Sequence, residues 1–190
     1  MLTLDEFLKE IDIEKEVSVD DFPNIDLYMD QVIQLFEEKF SGAKRNEDEK
    51  VLTKTMINNY AKAGLFFPIK NKKYSKEHLI MISLIYQLKG VLSINDIKYT
   101  LEEVNNRSDD EDFDLYCFYE SYQKLIHNNV DHFKGHIYKQ IEETNEEVEN
   151  INSENLKRVL LIASLTNLSN LYKRAAEKLI DEIIREADKL

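Results

Sequence analysis

Cysteine, proline and glycine are scarce in this sequence, with one, two and four residues respectively among 190. Because Cys117 has no second cysteine to pair with, one chain can form neither an internal disulfide nor a zinc site built on cysteines. Glycine and proline are the residues that most often interrupt helices, and apolar residues recur here every three or four positions. The sequence therefore predicts a mainly α-helical protein.

Long apolar runs are also missing, since no stretch approaches the roughly 20 residues that a membrane-spanning helix needs. The first ten residues carry acidic side chains where a secretory signal would carry Lys or Arg. We therefore expect a cytoplasmic protein that does not contact membranes. Glycine-rich phosphate loops, nucleophile elbows and paired-carboxylate sites are not recognisable, so we expect a protein that is not an enzyme, with no catalytic residues and no cofactor.

Basic residues are outnumbered overall but concentrated in one segment. The formal net charge is −12, which taken alone opposes nucleic-acid binding, because Lys and Arg supply most of the non-specific affinity for phosphates. Residues 52–101, however, hold eight basic and two acidic residues, and the stretch from Leu52 to Lys76 holds six lysines and no carboxylate. Such a basic island in an acidic chain indicates a local nucleic-acid contact, although a solvated face of an ordinary helical domain would also explain it.

The helical pattern divides the chain into three regions. We expect a short helix and an acidic connector over residues 1–22, a first domain over 23–105, and a C-terminal helical domain over 113–190 that serves dimerisation or effector binding. The boundary falls in residues 105–112, which are polar and lack apolar anchors. Capping residues and apolar spacing place helices in the first domain over about 25–40 and 53–62, from Ser75 to Gly90, and from Ser93 to about Val104.

Two long amphipathic helices are predicted after residue 113, and each needs a partner surface in the same chain or in a second copy. Gly135 weakens the first by about 1 kcal/mol relative to alanine, so we expect a bend or a break there. His132 and His136 have the i, i+4 spacing of metal-binding helices, but no other ligands accompany them and we expect no bound metal. The aromatic residues around Tyr119 fit core packing or, less often, an effector pocket.

Residues 53–62 have the properties of a DNA-reading helix. Thr53 is a good N-cap, Gly64 suits the position just after a helix, and Ile57 and Tyr60 belong to its inward face. The outward face offers hydroxyl, amide and basic side chains, which can contact base edges and phosphates in the major groove. The outward set is Lys54, Thr55, Asn58, Asn59 and Lys62.

The segment after this helix predicts a wing over residues 69–74. Pro68 cannot continue a helix, and Asn71 suits a tight turn. We expect Lys70, Lys72 and Lys73 to contact the DNA backbone. Tyr74 would brace the wing or donate a hydrogen bond to a phosphate.

The run LTKTMINNYAKAGLFFP resembles the part of MerR regulators where a threonine-capped recognition helix ends in aromatic, basic, Gly-Leu and proline positions. The following KKYSKEHLIMISLIYQLKGVLSINDIKYTL is similar to the wing exit and the next two helices of that family. A closer resemblance is to the MerR-related bacterial domain of unknown function family 1836 (DUF1836), over residues 23–105. The resemblance implies a winged helix-turn-helix module followed by a C-terminal helical unit.

The same resemblance implies a transcriptional regulator that binds double-stranded DNA as a homodimer, with a small-molecule effector possible. MerR regulators usually carry arginines on the recognition helix, where this chain has Asn58, Asn59 and lysines. Lysine lacks the planar fork that reads guanine, so we expect weaker or A·T-directed base specificity. The alternative is a non-enzymatic protein–protein interaction module that retains the winged fold without binding DNA, because a fold does not determine a function.

Overall fold

The computed structural model describes residues 4–11, 13, 17–108, 110–148 and 153–189. In these ranges the chain forms seven α-helices and one two-stranded sheet, which confirms the prediction of a mainly α-helical protein. No helix in these ranges is both long and apolar enough to cross a membrane. The elements are α1 Leu4–Glu10, β1 Leu27–Tyr28, α2 Met29–Lys39, α3 Lys54–Ala63, β2 Lys73–Tyr74, α4 Lys76–Leu88, α5 Ile94–Asn106, α6 Leu115–Glu147 and α7 Glu154–Ala187, with 3-10 turns at Val19–Asp21 and Ser41–Ala43.

Residues 12 and 14–16 of the predicted acidic connector lie outside the described residues.

The next part of the chain, from Val17 to Tyr122, forms one core unit around α4. Every residue of α4 from His78 to Ile85 is buried, as in a helix that is covered on all sides. The helices around it contribute buried side chains that include Phe36, Ile57, Ile97 and Leu115.

A buried hydrogen-bond network joins the two ends of this core unit. The Tyr119 side chain on α6 is 2% exposed, and its hydroxyl donates to the Val17 carbonyl oxygen at 2.9 Å and lies 2.9 Å from Ser83 Oγ on α4. A phenol has one proton, so Ser83 is the donor to the tyrosine oxygen. Burial raises the pKa of Tyr119 to about 12, which keeps the hydroxyl protonated. The core thus continues into α6, past the polar segment 105–112.

The helix predicted over residues 25–40 begins later than expected, at Met29. Leu27 and Tyr28 instead form β1, which is antiparallel to β2, with Leu27 opposite Tyr74 and Tyr28 opposite Lys73. A two-residue strand is too short to show a periodic pattern, and its partner is remote in sequence. This pairing fixes the segment after α3 against the start of α2.

The chain beyond the core unit consists of the rest of α6 and of α7, here called the helical arm. α6 runs unbroken for 33 residues through Gly135, so the predicted break at that glycine is wrong. A helix-propensity penalty of about 1 kcal/mol is small beside the packing of a long helix against a neighbour. In the helical arm, the buried side chains are Ile137 within α6 and Val148 directly after it. Among the described residues of α7, Ile180 is buried.

Candidate nucleic-acid interface

Helix α3 begins and ends where its sequence signals lie. Thr53 Oγ1 accepts a hydrogen bond from the Met56 backbone N–H at 3.2 Å, which satisfies one of the free donors at the helix start. Gly64 ends the helix in the left-handed conformation, with φ 70° and ψ 34°. The Leu65 N–H then donates to the Tyr60 carbonyl oxygen at 3.0 Å, as in a Schellman motif. Local residues therefore determine both ends of α3.

One face of α3 is fixed to the core, and the opposite face is open. Ile57 and Tyr60 are 0% and 4% exposed, and Met56 is half-buried. Because these side chains are held in the core, the helix cannot rotate without losing apolar contacts. The exposed face carries all five outward residues named from the sequence: Lys54, Thr55, Asn58, Asn59 and Lys62.

The segment predicted to be a wing, residues 69–74, closes as a tight two-residue turn. Lys70 and Lys73 form an antiparallel bridge around Asn71 and Lys72, whose φ angles are 53° and 60°. Positive φ at both central residues is the pattern of a type I′ hairpin turn. Asparagine adopts this conformation readily and lysine much less so. Lys70, Asn71 and Lys72 are exposed, whereas Lys73 is half-buried.

Tyr74 is the predicted site residue that the structure removes from the surface. Its side chain is 2% exposed, and its ring lies edge-on to Phe66 at 6.3 Å and to His78 at 6.0 Å between ring centroids. The Tyr74 ring therefore packs against the core, and a hydrogen bond from its hydroxyl to a phosphate stays a prediction. Of its two predicted roles, bracing of the wing fits this position.

His78 contacts Tyr74 and Ser75, at the C-terminal end of the predicted wing. Its Nδ1 accepts a hydrogen bond from the Ser75 N–H at 3.1 Å and lies 2.8 Å from Ser75 Oγ. Its Nε2 is buried without a partner of hydrogen-bonding geometry, although it faces the backbone carbonyls of Phe67 and Pro68. Burial lowers the pKa of His78, against the smaller opposing effect of these carbonyls. The neutral imidazole therefore belongs to the folded state.

β1 and the first turn of α2 connect α3 to the predicted wing, a role that the sequence analysis missed. Lys54 Nζ on α3 lies 2.7 Å from Asp30 Oδ1, and Tyr28 pairs with Lys73 of the wing. The Lys73 ammonium also lies 5.3 Å from the centroid of the Tyr28 ring, within cation–π range. These contacts bring the start of α3 and the wing strand to the same end of α2. Nothing in the local sequence of α2 signals them, because both partners come from distant segments.

We call this region the α3–wing surface; it comprises the exposed face of α3, the wing tip and the start of α2. Lys62, Lys70 and Lys72 form no ion pair with any part of the chain that the structure describes. The Lys54–Asp30 pair is largely exposed, with side chains 63% and 76% accessible. Exposed ion pairs of this kind contribute between about 0 and 1 kcal/mol, so a phosphate can compete for the lysine.

The connection between α2 and α3 is longer than the turn of a standard helix-turn-helix. It spans residues 40–53, where such motifs use about three or four residues. Val51 within it is 1% exposed; its N–H donates to Glu37 at 3.2 Å, and its carbonyl accepts from Lys89 at 2.8 Å. The connection is thus anchored on both α2 and the end of α4.

A comparison with protein families extends the resemblance noted in the sequence. The model of the domain of unknown function DUF1836 matches residues 17–122, whereas no curated protein and no solved structure shows significant similarity. The match begins at Val17 and ends at Tyr122, so its limits coincide with the core unit closed by the Tyr119 hydroxyl. It includes α3, the wing and the first turns of α6. Since it covers more than half of the 190 residues, this chain belongs to the DUF1836 family.

Proposed function

We propose that this protein is a DNA-binding transcriptional regulator whose α3–wing surface contacts the duplex. One observation carries the proposal: every predicted base- or phosphate-contacting residue of α3, and the wing tip with Lys70 and Lys72, is exposed on elements whose other sides are locked into the core. In the part of the chain that the structure describes, no acidic helix covers this surface. A reader helix needs this combination of fixed backbone and free side chains.

The chemistry of the exposed face suits the major groove. An α-helix with its side chains is about 10 to 12 Å wide, and the major groove is about 12 Å wide, so α3 can enter it. Asn58 and Asn59 can each form paired hydrogen bonds with an adenine edge, and Thr55 can meet a base or a phosphate. Lys54 and Lys62 lie at the two ends of α3, where they would contact the flanking phosphates. The wing lysines would add contacts on the neighbouring backbone.

The helical arm supports the further proposal that two copies act together. The accessible surface of the chain is 13119 Å² for a mass of 22.5 kDa, whereas a compact monomer of this mass exposes about 9,500 Å². The difference between these two accessible surfaces is much larger than the roughly 800 Å² that each partner buries in a standard interface. Large apolar side chains of α7 that are exposed include Leu156, Val159, Leu160, Ile162, Leu171, Tyr172, Leu179 and Ile183.

We infer that a second copy of the chain covers part of this exposed apolar surface of α7, including Leu179. Two α3–wing surfaces on one dimer would read two half-sites, which raises affinity without a new type of contact. Leu179→Glu should shift the sedimentation of the protein from dimer to monomer. Lys178→Glu, at the next position of the same helix, should leave it dimeric. A monomeric wild-type protein at tens of micromolar would contradict this part of the proposal.

Salt dependence provides the test of DNA binding. Duplexes would first be selected from a randomised library by the full-length protein, and their binding then followed by fluorescence anisotropy from 50 to 200 mM salt. If five lysines per protomer each neutralise one phosphate, the slope of log K against log salt should be about −4.5 per protomer. Lys70→Gln with Lys72→Gln should reduce the size of this slope by about 1.8.

Two further comparisons separate phosphate contacts from base reading. Lys124→Gln with Lys178→Gln removes the same charge from exposed positions on the helical arm, and should leave the slope nearly unchanged. Asn58→Ala should weaken binding to the selected duplex by about 1 to 3 kcal/mol, with little effect on random DNA. If no duplex is enriched, or if the two lysine pairs give equal slopes, the α3–wing surface does not bind DNA. A salt-insensitive protein partner would then favour the interaction-module alternative.

A further inference from the structure

A cavity of about 510 Å³ lies where the core unit meets the helical arm. Its walls come from α1, from the end of α4 and the turn after it, and from facing sides of α6 and α7. Most of the lining is apolar, with Leu88 and Leu92 on the core side and Ile137, Leu165 and Leu168 on the arm. Its volume lies within the range of about 300 to 1,000 Å³ that small-molecule sites occupy.

The polar side chains at this cavity are neutral or basic. Its lining includes the ammonium of Lys173, the imidazole of His136, and uncharged polar side chains such as Gln140. A second depression of about 530 Å³ shares Phe133, His136 and Tyr172 with it and adds His132 and Asn129. Among the residues that the structure describes, seventeen line the two depressions, and none of these is acidic.

The absence of carboxylates from this lining is informative because the chain is rich in them. Asp and Glu make up 37 of 190 residues, so a random set of seventeen would hold about three. The ion pair that Lys173 makes is a loose one, with its ammonium 3.8 Å from Glu177. An apolar chamber that carries an ammonium and an imidazole, and whose described lining holds no carboxylate, is suited to a ligand with an apolar body and one negative charge.

We propose that this cavity binds a small apolar carboxylate. The hydrocarbon body lies among the leucines and Ile137, and the carboxylate lies toward Lys173 and His136. A small molecule suits the space better than a partner helix, since a helix with its side chains is about 10 to 12 Å wide and one turn of it would nearly fill the chamber. This site is independent of DNA binding, because it uses no residue of the α3–wing surface.

Octanoate and octan-1-ol are matched probes for this proposal, since they share an apolar chain and differ in charge. Isothermal titration calorimetry of the full-length protein should show one octanoate per chain and binding of octan-1-ol that is about fivefold weaker, the contribution of one partly exposed charge contact. Lys173→Met keeps the aliphatic stem and should abolish this preference. Lys178→Met, on the same helix but outside the lining, should retain it.

Two substitutions fill the chamber from different sides. Ala176→Phe adds a ring to its lining, and Ser169→Phe does so from an exposed position that the fold tolerates more easily. Each variant that retains the wild-type circular dichroism should lose both probes. The proposal is overturned if octanoate does not bind to the wild-type protein or if both filled variants still bind it. It is also overturned if Lys173→Met discriminates between the probes as well as Lys178→Met does.

Discussion

Tyr119→Phe tests the claim that the start of α6 is part of the core unit. The substitution removes one hydroxyl from a site that is 2% exposed and leaves the ring in place. The Val17 carbonyl keeps a second donor, Gln123 Nε2 at 2.8 Å. Ser83 is 0% exposed, and among the described residues its hydroxyl bonds to the Tyr119 oxygen, so the Ser83 hydroxyl becomes the unsatisfied group. Leaving one buried hydroxyl unpaired costs about 1 to 3 kcal/mol.

We expect Tyr119→Phe to lower the free energy of unfolding by about 2 kcal/mol, in the middle of that range. Removing both partners should cost less than the sum of the single changes, because Ser83→Ala in the Tyr119→Phe background eliminates the unsatisfied hydroxyl. Urea denaturation followed by circular dichroism at 222 nm measures all three variants. Tyr138→Phe removes the same hydroxyl from a side chain on α6 that is 56% exposed, and should change stability by less than about 0.5 kcal/mol.

Equal effects of Tyr119→Phe and Tyr138→Phe on stability would contradict the buried hydrogen-bond network. Additive effects of Ser83→Ala and Tyr119→Phe would contradict it as well, since the two hydroxyls would then not interact. A decrease in the m-value alone would indicate that α6 separates from the rest before the core unfolds.

Three further predictions concern the backbone, a buried imidazole and the DNA surface. Gly135→Ala should stabilise the protein by about 0.5 to 1 kcal/mol in urea denaturation, because alanine favours the helix and its methyl group meets no neighbouring atom there. Gly64→Ala should instead destabilise the protein by about 1 kcal/mol or more, because the backbone at this position has a φ of 70°. Because the pKa of His78 is lowered in the folded state, the unfolded chain protonates this histidine first as the pH falls through 6.5. The free energy of unfolding should therefore decrease below that pH. In denaturation experiments from pH 7 to 5, His78→Gln should make this decrease smaller. Asp30→Asn should free Lys54 and tighten DNA binding about two- to threefold in anisotropy titrations, while weaker binding would contradict the assigned surface.

Helix α3 could be predicted from the sequence because its determinants are local. A threonine cap, an apolar pair one turn apart and a glycine in the left-handed position act within a dozen residues. Asn71 likewise indicated the turn of the wing. The exposed face of α3 then follows from helical geometry alone.

The position of Tyr74 could not be predicted in the same way. A tyrosine beside lysines suits either a phosphate contact or a core position, and burial depends on Phe66 and His78, which the fold brings to it. The same applies to Asp30, whose ion pair with Lys54 joins two helices across a long connection.

The sequence by itself determined the mainly helical class, both ends of α3 and the basic, carboxylate-free segment, since backbone propensity, capping and charge depend on near neighbours. Tertiary structure alone decided which polar residues are buried, where β1 pairs, and that α6 completes the core through Tyr119. It also formed the cavity between the core unit and the helical arm. These features need segments far apart in the chain to meet, and a local pattern carries no record of its distant partner.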